Sequence, residues 1–426
     1  MNDKGVSKGM FDFDGKRYLN DRLSDPNELR WMHGAPPPED KRITFESDTF
    51  MDFPQIRWSL SHMRELWPTA SVWHGGKVPS PLEHSDKAAD IDALTFADMN
   101  GRTRRFDEAL FDTYVDGLLV LHRGKVVYER YVGALSHELP HACMSMTKSY
   151  AGILVASLAQ EGVLDESRLI PHYIPELAGT AWGDATLRQV MDMETGVAYT
   201  ESDSGEGAAA TMYSRATGWQ PRPAGYSGPQ TMCDYLRTVR KAGSHGKIFA
   251  YKSINTGVLG WIMGRVTGRS FAQLLHERLW APLGCEQDGH VLVDCVGMPV
   301  AGGGLSATLR DLARFGELMR REGEWNGRQL ISAAAVHEVQ RGGAPEKFAK
   351  AGIRHLPGYS YRSQWWVTHN ELDAFEARGI HGQRLYVAPK AEMVIARFAS
   401  HPVAGSAVSD AVVLPQMLKL GQVLRT

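Results

Sequence analysis

Two β-hairpin signatures stand towards opposite ends of the chain with a long helical stretch between them, and this constrains the fold more than any other feature. The first is Asp116 to Val132, where two β-rich runs flank the turn His122-Arg123-Gly124-Lys125. The second pairs Arg384-Leu385-Tyr386-Val387 with Met393-Val394-Ile395-Ala396-Arg397-Phe398 around Ala388-Pro389-Lys390-Ala391-Glu392, and the aromatic run Tyr359 to Thr368 before it reads as one more strand. Between them the apolar residues recur with helical spacing. Ser149 to Glu161 stops at Gly162, Thr186 to Met193 stops at Gly196, and Asn255 to Val266 stops at Gly268. Further helices are predicted at Phe271 to Leu279 and Leu309 to Arg321, with Ser406 to Leu420 returning as a terminal helix.

The pattern predicts an α/β fold, an antiparallel sheet flanked by helices and built from both chain ends, 53–142 and 350–426. A mainly α domain, 143–349, is inserted between them and carries the nucleophile proposed below. Residues 1–52 are polar and marked by Pro36, Pro37 and Pro38; they read as an N-terminal arm with no regular element.

Composition narrows the function classes. With 47 basic against 49 acidic side chains the formal charge is −2, so no global positive field exists to hold phosphate backbones or anionic lipid. The four cysteines, Cys143, Cys233, Cys285 and Cys295, form no CxxC pair and do not alternate with histidine at zinc spacing, so they read as reduced thiols. The first residues carry charges every few positions and lack the apolar core of a secretory signal, and no run approaches the roughly 20 apolar residues that cross a bilayer. The expected location is cytoplasmic. No metal and no cofactor is expected.

The sharpest chemical feature is Cys143-Met144-Ser145-Met146-Thr147-Lys148-Ser149, a serine followed three residues later by a lysine at the start of an apolar helix. That spacing puts both on one helical face. Unpaired amides at a helix N-terminus favour developing negative charge, so a serine there can be nucleophile and part of its own oxyanion hole. A partly buried lysine can have its pKa depressed until it accepts the serine proton. A second copy of the spacing, Ser244-His245-Gly246-Lys247, lies in a glycine-rich turn and lacks this context. By itself the first copy also fits a helix-capping serine beside a solvated lysine.

Two further motifs follow. Tyr251-Lys252-Ser253 precedes an apolar helix, and Ala301-Gly302-Gly303-Gly304-Leu305-Ser306 precedes Asp311-Leu312-Ala313-Arg314-Phe315-Gly316. Taken in order, S-x-x-K, Y-x-S, GGGL-S with DLARFG and a glycine-bearing strand near the C-terminus resemble the serine β-lactamases of class C type, the penicillin-binding DD-peptidases and their esterase relatives. Within that group the likeness is to the 6-aminohexanoate-dimer hydrolases, which act on nylon oligomers. It is carried by Ser145 to Ser149, Tyr173-Ile174-Pro175-Glu176-Leu177-Ala178-Gly179, Ala216-Thr217-Gly218-Trp219, Arg265-Val266-Thr267-Gly268, Gln364-Trp365-Trp366 and Gly379-Ile380-His381-Gly382-Gln383. It covers roughly residues 53 to 420.

The resemblance implies a serine hydrolase that cleaves a small carboxylic ester or linear amide through an acyl-enzyme. It implies Ser145 as nucleophile, Lys148 as its proton acceptor and Tyr251 as general acid/base, with the phenol pKa expected to fall beside the lysine ammonium. Ser253 would hydrogen-bond Lys148 and the substrate. The lysine-threonine-glycine triplet of β-lactamases is replaced by Ala377-Arg378-Gly379, where Gly379 lets a substrate approach and the Ile380 amide joins that of Ser145 as oxyanion donor. His381 reads as a structural histidine. In the loop Tyr199 to Glu206 the nylon-oligomer enzymes carry a tyrosine that helps hold the amide, and an ungapped count places Asp203 there. Acidic residues in that loop would favour a substrate with an ammonium group, and Trp219 and Trp366 could wall an acyl pocket or serve as core tryptophans.

Two alternatives stay open: a β-lactamase or DD-peptidase, and a catalytically inactive binding module of the same fold. Gly205-Glu206-Gly207-Ala208-Ala209-Ala210 has the letters of a dinucleotide loop but follows no strand, and no G-x-S-x-G elbow, Walker loop or HExxH occurs. The expected partner is a small ester or amide, with no nucleic acid and no membrane; a homo-oligomer is left open.

Overall fold

A computed structural model describes residues 10–201, 205 and 207–425. Its centre is a seven-stranded antiparallel sheet. The strands are β1 (Val115–His122), β2 (Lys125–Tyr131), β3 (Ser360–Arg362), β4 (Trp365–Val367), β5 (Phe375–Gly379), β6 (Gln383–Ala388) and β7 (Met393–Ala399), in the spatial order β3-β4-β5-β6-β7-β1-β2. The sequence-distant strands β7 and β1 pair directly, with Ala396 opposite Leu119 and Ile395 opposite Val120.

Alternation along these strands gives each face its own cover. Leu119, Leu121, Leu385, Val387, Val394 and Ala396 point to one side, where they meet Leu309, Leu312 and Phe315 of the helix Leu309–Arg320. Leu118, Val120, Tyr386, Met393 and Ile395 point to the other, where they meet Val413, Met417 and Leu420 of the terminal helix Ala407–Leu424. Continuous apolar runs, split by the alternation of strand geometry, thus give two apolar layers on one sheet.

The helices that carry the site lie on the first side: α1 (Thr147–Gln160) and α2 (Ser253–Thr267), the latter ended by Gly268 in the left-handed region at φ 66°. A smaller antiparallel sheet ties the serine segment to the glycine-rich segment. In it His141–Ala142 pairs with Leu305–Ala307, which in turn pairs with Gly289–Leu292. Among the described residues no helix is long and apolar enough to cross a membrane, and all four cysteines are free.

Two expectations need correction. The run Tyr359 to Thr368 is not one strand but the hairpin β3–β4, turning at Ser363 (φ 48°) and Gln364 (φ 67°). Two successive positive φ values are what a tight hairpin turn requires. They are held by contacts remote in sequence: Ser149 Oγ donates to the Gln364 carbonyl at 2.8 Å, and Ser363 Oγ donates to Glu338 at 2.9 Å. The arm is also not devoid of regular structure. Met10–Phe13 pairs with Lys16–Leu19, and Trp31, Ile43 and Phe50 are buried in a cluster with Ala142 and Met144, next to the serine.

Candidate active site

Ser145 sits in a single 3-10 turn, Met144–Met146, that feeds directly into α1. Met144 before it has φ 48°, an unfavourable conformation for a residue with a Cβ, fixed here because Thr147 Oγ1 donates to the Met144 carbonyl at 2.6 Å. The Cys143 amide donates to the Leu305 carbonyl at 2.8 Å, which locks the turn onto the small sheet. From 141 to 150 only Ser145 is not fully buried, so the turn presents one side chain outward from a packed wall.

Lys148 is 1% exposed. Its Nζ donates to Ser145 Oγ at 2.9 Å and to the carbonyl of Gly302. The glycine-rich segment therefore serves the site through its backbone: the sheet pairing of Leu305–Ala307 with His141–Ala142 carries Gly302 to the lysine. Burial lowers the Lys148 pKa to about 8, opposed by the negative charge of Glu201. A lysine at that value is neutral in about one molecule in ten at pH 7, far more often than an ordinary lysine, and can act as a proton acceptor.

Tyr251 immediately precedes Lys252 and α2, and its hydroxyl lies close enough to Ser145 for the serine to lower its pKa. Lys148 Nζ stands 5.1 Å from the centroid of its ring. Its pKa is raised, contrary to the expected fall. Burial is the largest cause and the Glu201 charge adds to it, outweighing the lowering by Ser145 and by Arg378. The phenol thus keeps its proton and reaches the site as an acid.

Ser253 departs from expectation as well. The partners of Lys148 are Ser145 and Gly302; Ser253 instead offers its backbone N–H, at the first turn of α2, to the Glu201 carboxylate. Trp366 leans on Tyr251 with ring centroids 5.6 Å apart, and the Arg378 guanidinium covers it at 5.3 Å. Arg378 is itself held by Glu376 at 2.7 Å and Ser406 at 2.9 Å. Trp219 packs 5.5 Å from Trp67, at the edge of the cluster that contains Met144. Asp203 lies outside the described residues.

Gly379 ends β5 against the serine turn. A Cβ there would fall 2.7 Å from the Cys143 carbonyl oxygen and 3.0 Å from Met144 Cβ, so only glycine allows the strand to come this close. The neighbouring Ile380 is 41% exposed beside the turn. His381 is buried, its Nδ1–H donates to the His401 carbonyl at 2.8 Å, and burial depresses its pKa to about 4. That ring is a neutral structural element.

Reasoning from sequence missed three contributors. The Gly302 carbonyl is a backbone atom, and Glu201 was one acid among several in its loop. Gln364 is the third. Its side chain accepts from Thr256 Oγ1 of α2 at 2.7 Å and donates to the Met191 carbonyl at 2.7 Å, while its own carbonyl accepts from Ser149 of α1. One buried glutamine, through its side-chain amide and its backbone carbonyl, thus fixes the two site helices against the sheet. Its place in the Gln364-Trp365-Trp366 match was the available signal.

Comparison with known proteins bears on the family and the fold. The Beta-lactamase family model matches residues 108–414. The chain is 34% identical over 356 residues to the 6-aminohexanoate-dimer hydrolase of Paenarthrobacter ureafaciens, covering 83% of this chain and 88% of that protein. It superposes with a TM-score of 0.83 and 30% identity on a Bacillus anthracis protein provisionally named a 6-aminohexanoate-dimer hydrolase, across 92% of this chain and 99% of the other. A family VIII carboxylesterase shares the fold, with a TM-score of 0.55 and 17% identity over 73% of this chain and 95% of its own. The chain belongs to the beta-lactamase family and is a serine hydrolase.

Proposed function

We propose that this enzyme hydrolyses a small linear amide or carboxylic ester through an acyl-enzyme on Ser145. The observation that carries the reading is Lys148 Nζ 2.9 Å from the Ser145 oxygen, with the Tyr251 hydroxyl close enough for Ser145 to act on its pKa. Neutral Lys148 takes the Ser145 proton as Oγ attacks the substrate carbonyl carbon. The amides of Ser145 and Ile380 receive the negative oxygen of the tetrahedral intermediate. Tyr251 gives its proton to the departing nitrogen or oxygen and recovers one from the Lys148 ammonium, so the lysine returns neutral. Water then attacks the acyl carbon with the same groups moving protons in reverse, releasing the acid and restoring Ser145.

The 6-aminohexanoate-dimer hydrolase relative supports a linear amide as one substrate class, and the exposed carboxylate of Glu201 suits a substrate bearing an ammonium group. Hydrolysis of a short-chain p-nitrophenyl ester and of the 6-aminohexanoate dimer, each by wild type and Ser145→Ala, tests the proposal. Turnover of at least one substrate that disappears in the variant is expected. Equal turnover by both proteins would refute it.

A further inference from the structure

Glu201 is exposed, yet both of its carboxylate oxygens reach inward. Oε1 accepts from the Ser253 amide at the first turn of α2, and Oε2 accepts from the Tyr199 hydroxyl at 3.4 Å. Ser253 is two residues from Tyr251, so the carboxylate is fastened to the short segment that delivers the phenol. The groups facing it come from every element around it. They are Lys148 of α1, Tyr251 and Lys252 ahead of α2, Tyr199 on its own segment, Tyr213 of the helix Ala209–Ala216 and Tyr235 of the helix Met232–Thr238. Arg378 acts on the phenol from β5 with the opposite sign.

We propose that Glu201 is a positioning residue of the hydrolase, holding the Tyr251–Ser253 segment in place and supplying the negative charge that Lys148 and Tyr251 both face. The inference rests on the assignment of Ser145, Lys148 and Tyr251 to the reaction. Burial lowers the Lys148 pKa, and the carboxylate opposes this. The same charge adds to burial in keeping the phenol protonated. One carboxylate outside the serine-lysine-tyrosine group therefore adjusts, on top of burial, the pH range in which one partner is a base and the other an acid.

The test compares the pH dependence of kcat/KM for a short-chain p-nitrophenyl ester in wild type, Glu201→Gln and Glu201→Asp, with Tm recorded for each. Because Glu201 is exposed, neither change removes a core side chain. Gln keeps an acceptor for the Ser253 amide and loses the charge, so the acid limb should move to lower pH by about half a unit or more. Asp keeps the charge, and its limb should stay with the wild type. A purely structural role would lower Tm or raise KM without moving the limb. Coincident limbs for wild type and Glu201→Gln, in an enzyme whose turnover vanishes in Ser145→Ala, would overturn the inference. Turnover that survives Ser145→Ala would instead strike the underlying assignment.

Discussion

Lys148 Nζ and Ser145 Oγ are 2.9 Å apart on consecutive turns of one segment, and the lysine is held in that direction by the Gly302 carbonyl behind it. The pair fixes the pH behaviour. With its pKa lowered to about 8, Lys148 is charged and unable to accept a proton well below that value, and neutral above it. The rate constant kcat/KM should therefore rise with pH through about 8. A profile flat between pH 6 and 9 would contradict the lysine as base.

The same burial weakens the fold. A lysine whose pKa falls from 10.5 to about 8 on folding costs about 3 kcal/mol wherever it must be charged in both states. The sign follows from proton counting: between these values the unfolded chain binds the extra proton, so this contribution to stability rises with pH. Lys148→Met removes it. The stability of Lys148→Met relative to wild type should be greatest at pH 7 and shrink as pH rises from 8 towards 10, as read by urea unfolding. A difference that does not vary with pH would remove the argument.

Tyr251→Phe keeps the ring against Trp366 and deletes only the hydroxyl. Loss of a proton donor of this kind is worth about 10²–10⁴ in rate, so kcat should fall within that range with Tm unchanged. The loss should be larger for an amide than for a p-nitrophenyl ester, whose leaving group needs no proton. Equal losses for the two substrates would argue that the phenol acts elsewhere.

Two glycines mark where backbone contacts hold the site. A Cβ on Gly152 of α1 would fall 2.0 Å from the Ser363 carbonyl oxygen at the β3–β4 turn. Gly152→Ala should cost at least about 2 kcal/mol in stability, as overpacking does, and thermal unfolding would show it. Gly379→Ala presses on the serine turn instead, so its loss should be in kcat/KM, by about tenfold or more, the order that misplacing reacting groups produces.

The sheet was legible because the β-rich runs Leu118 to Leu121 and Val126 to Tyr131 flank the turn His122-Arg123-Gly124-Lys125, a local pattern that survives folding. Ser145 and Lys148 were legible because their proximity follows from helical spacing. What escaped depends on contacts remote in sequence. Ser363 and Gln364 carry no glycine or asparagine to announce a turn, and tertiary hydrogen bonds impose their positive φ. The Tyr251 pKa was expected to fall because a cation stood nearby, but burial, which a sequence does not display, sets its direction. Backbone carbonyls such as that of Gly302 leave no mark in a sequence at all.

The central claim is that Ser145 Oγ forms a covalent acyl bond. Its most direct measurement is the intact mass and peptide map of the enzyme after exposure to a fluorophosphonate, for wild type and Ser145→Ala. One adduct per chain on the peptide containing Ser145, and none on the alanine variant, is the predicted result. An adduct elsewhere, or no adduct on wild type at a pH above 8, would contradict the account.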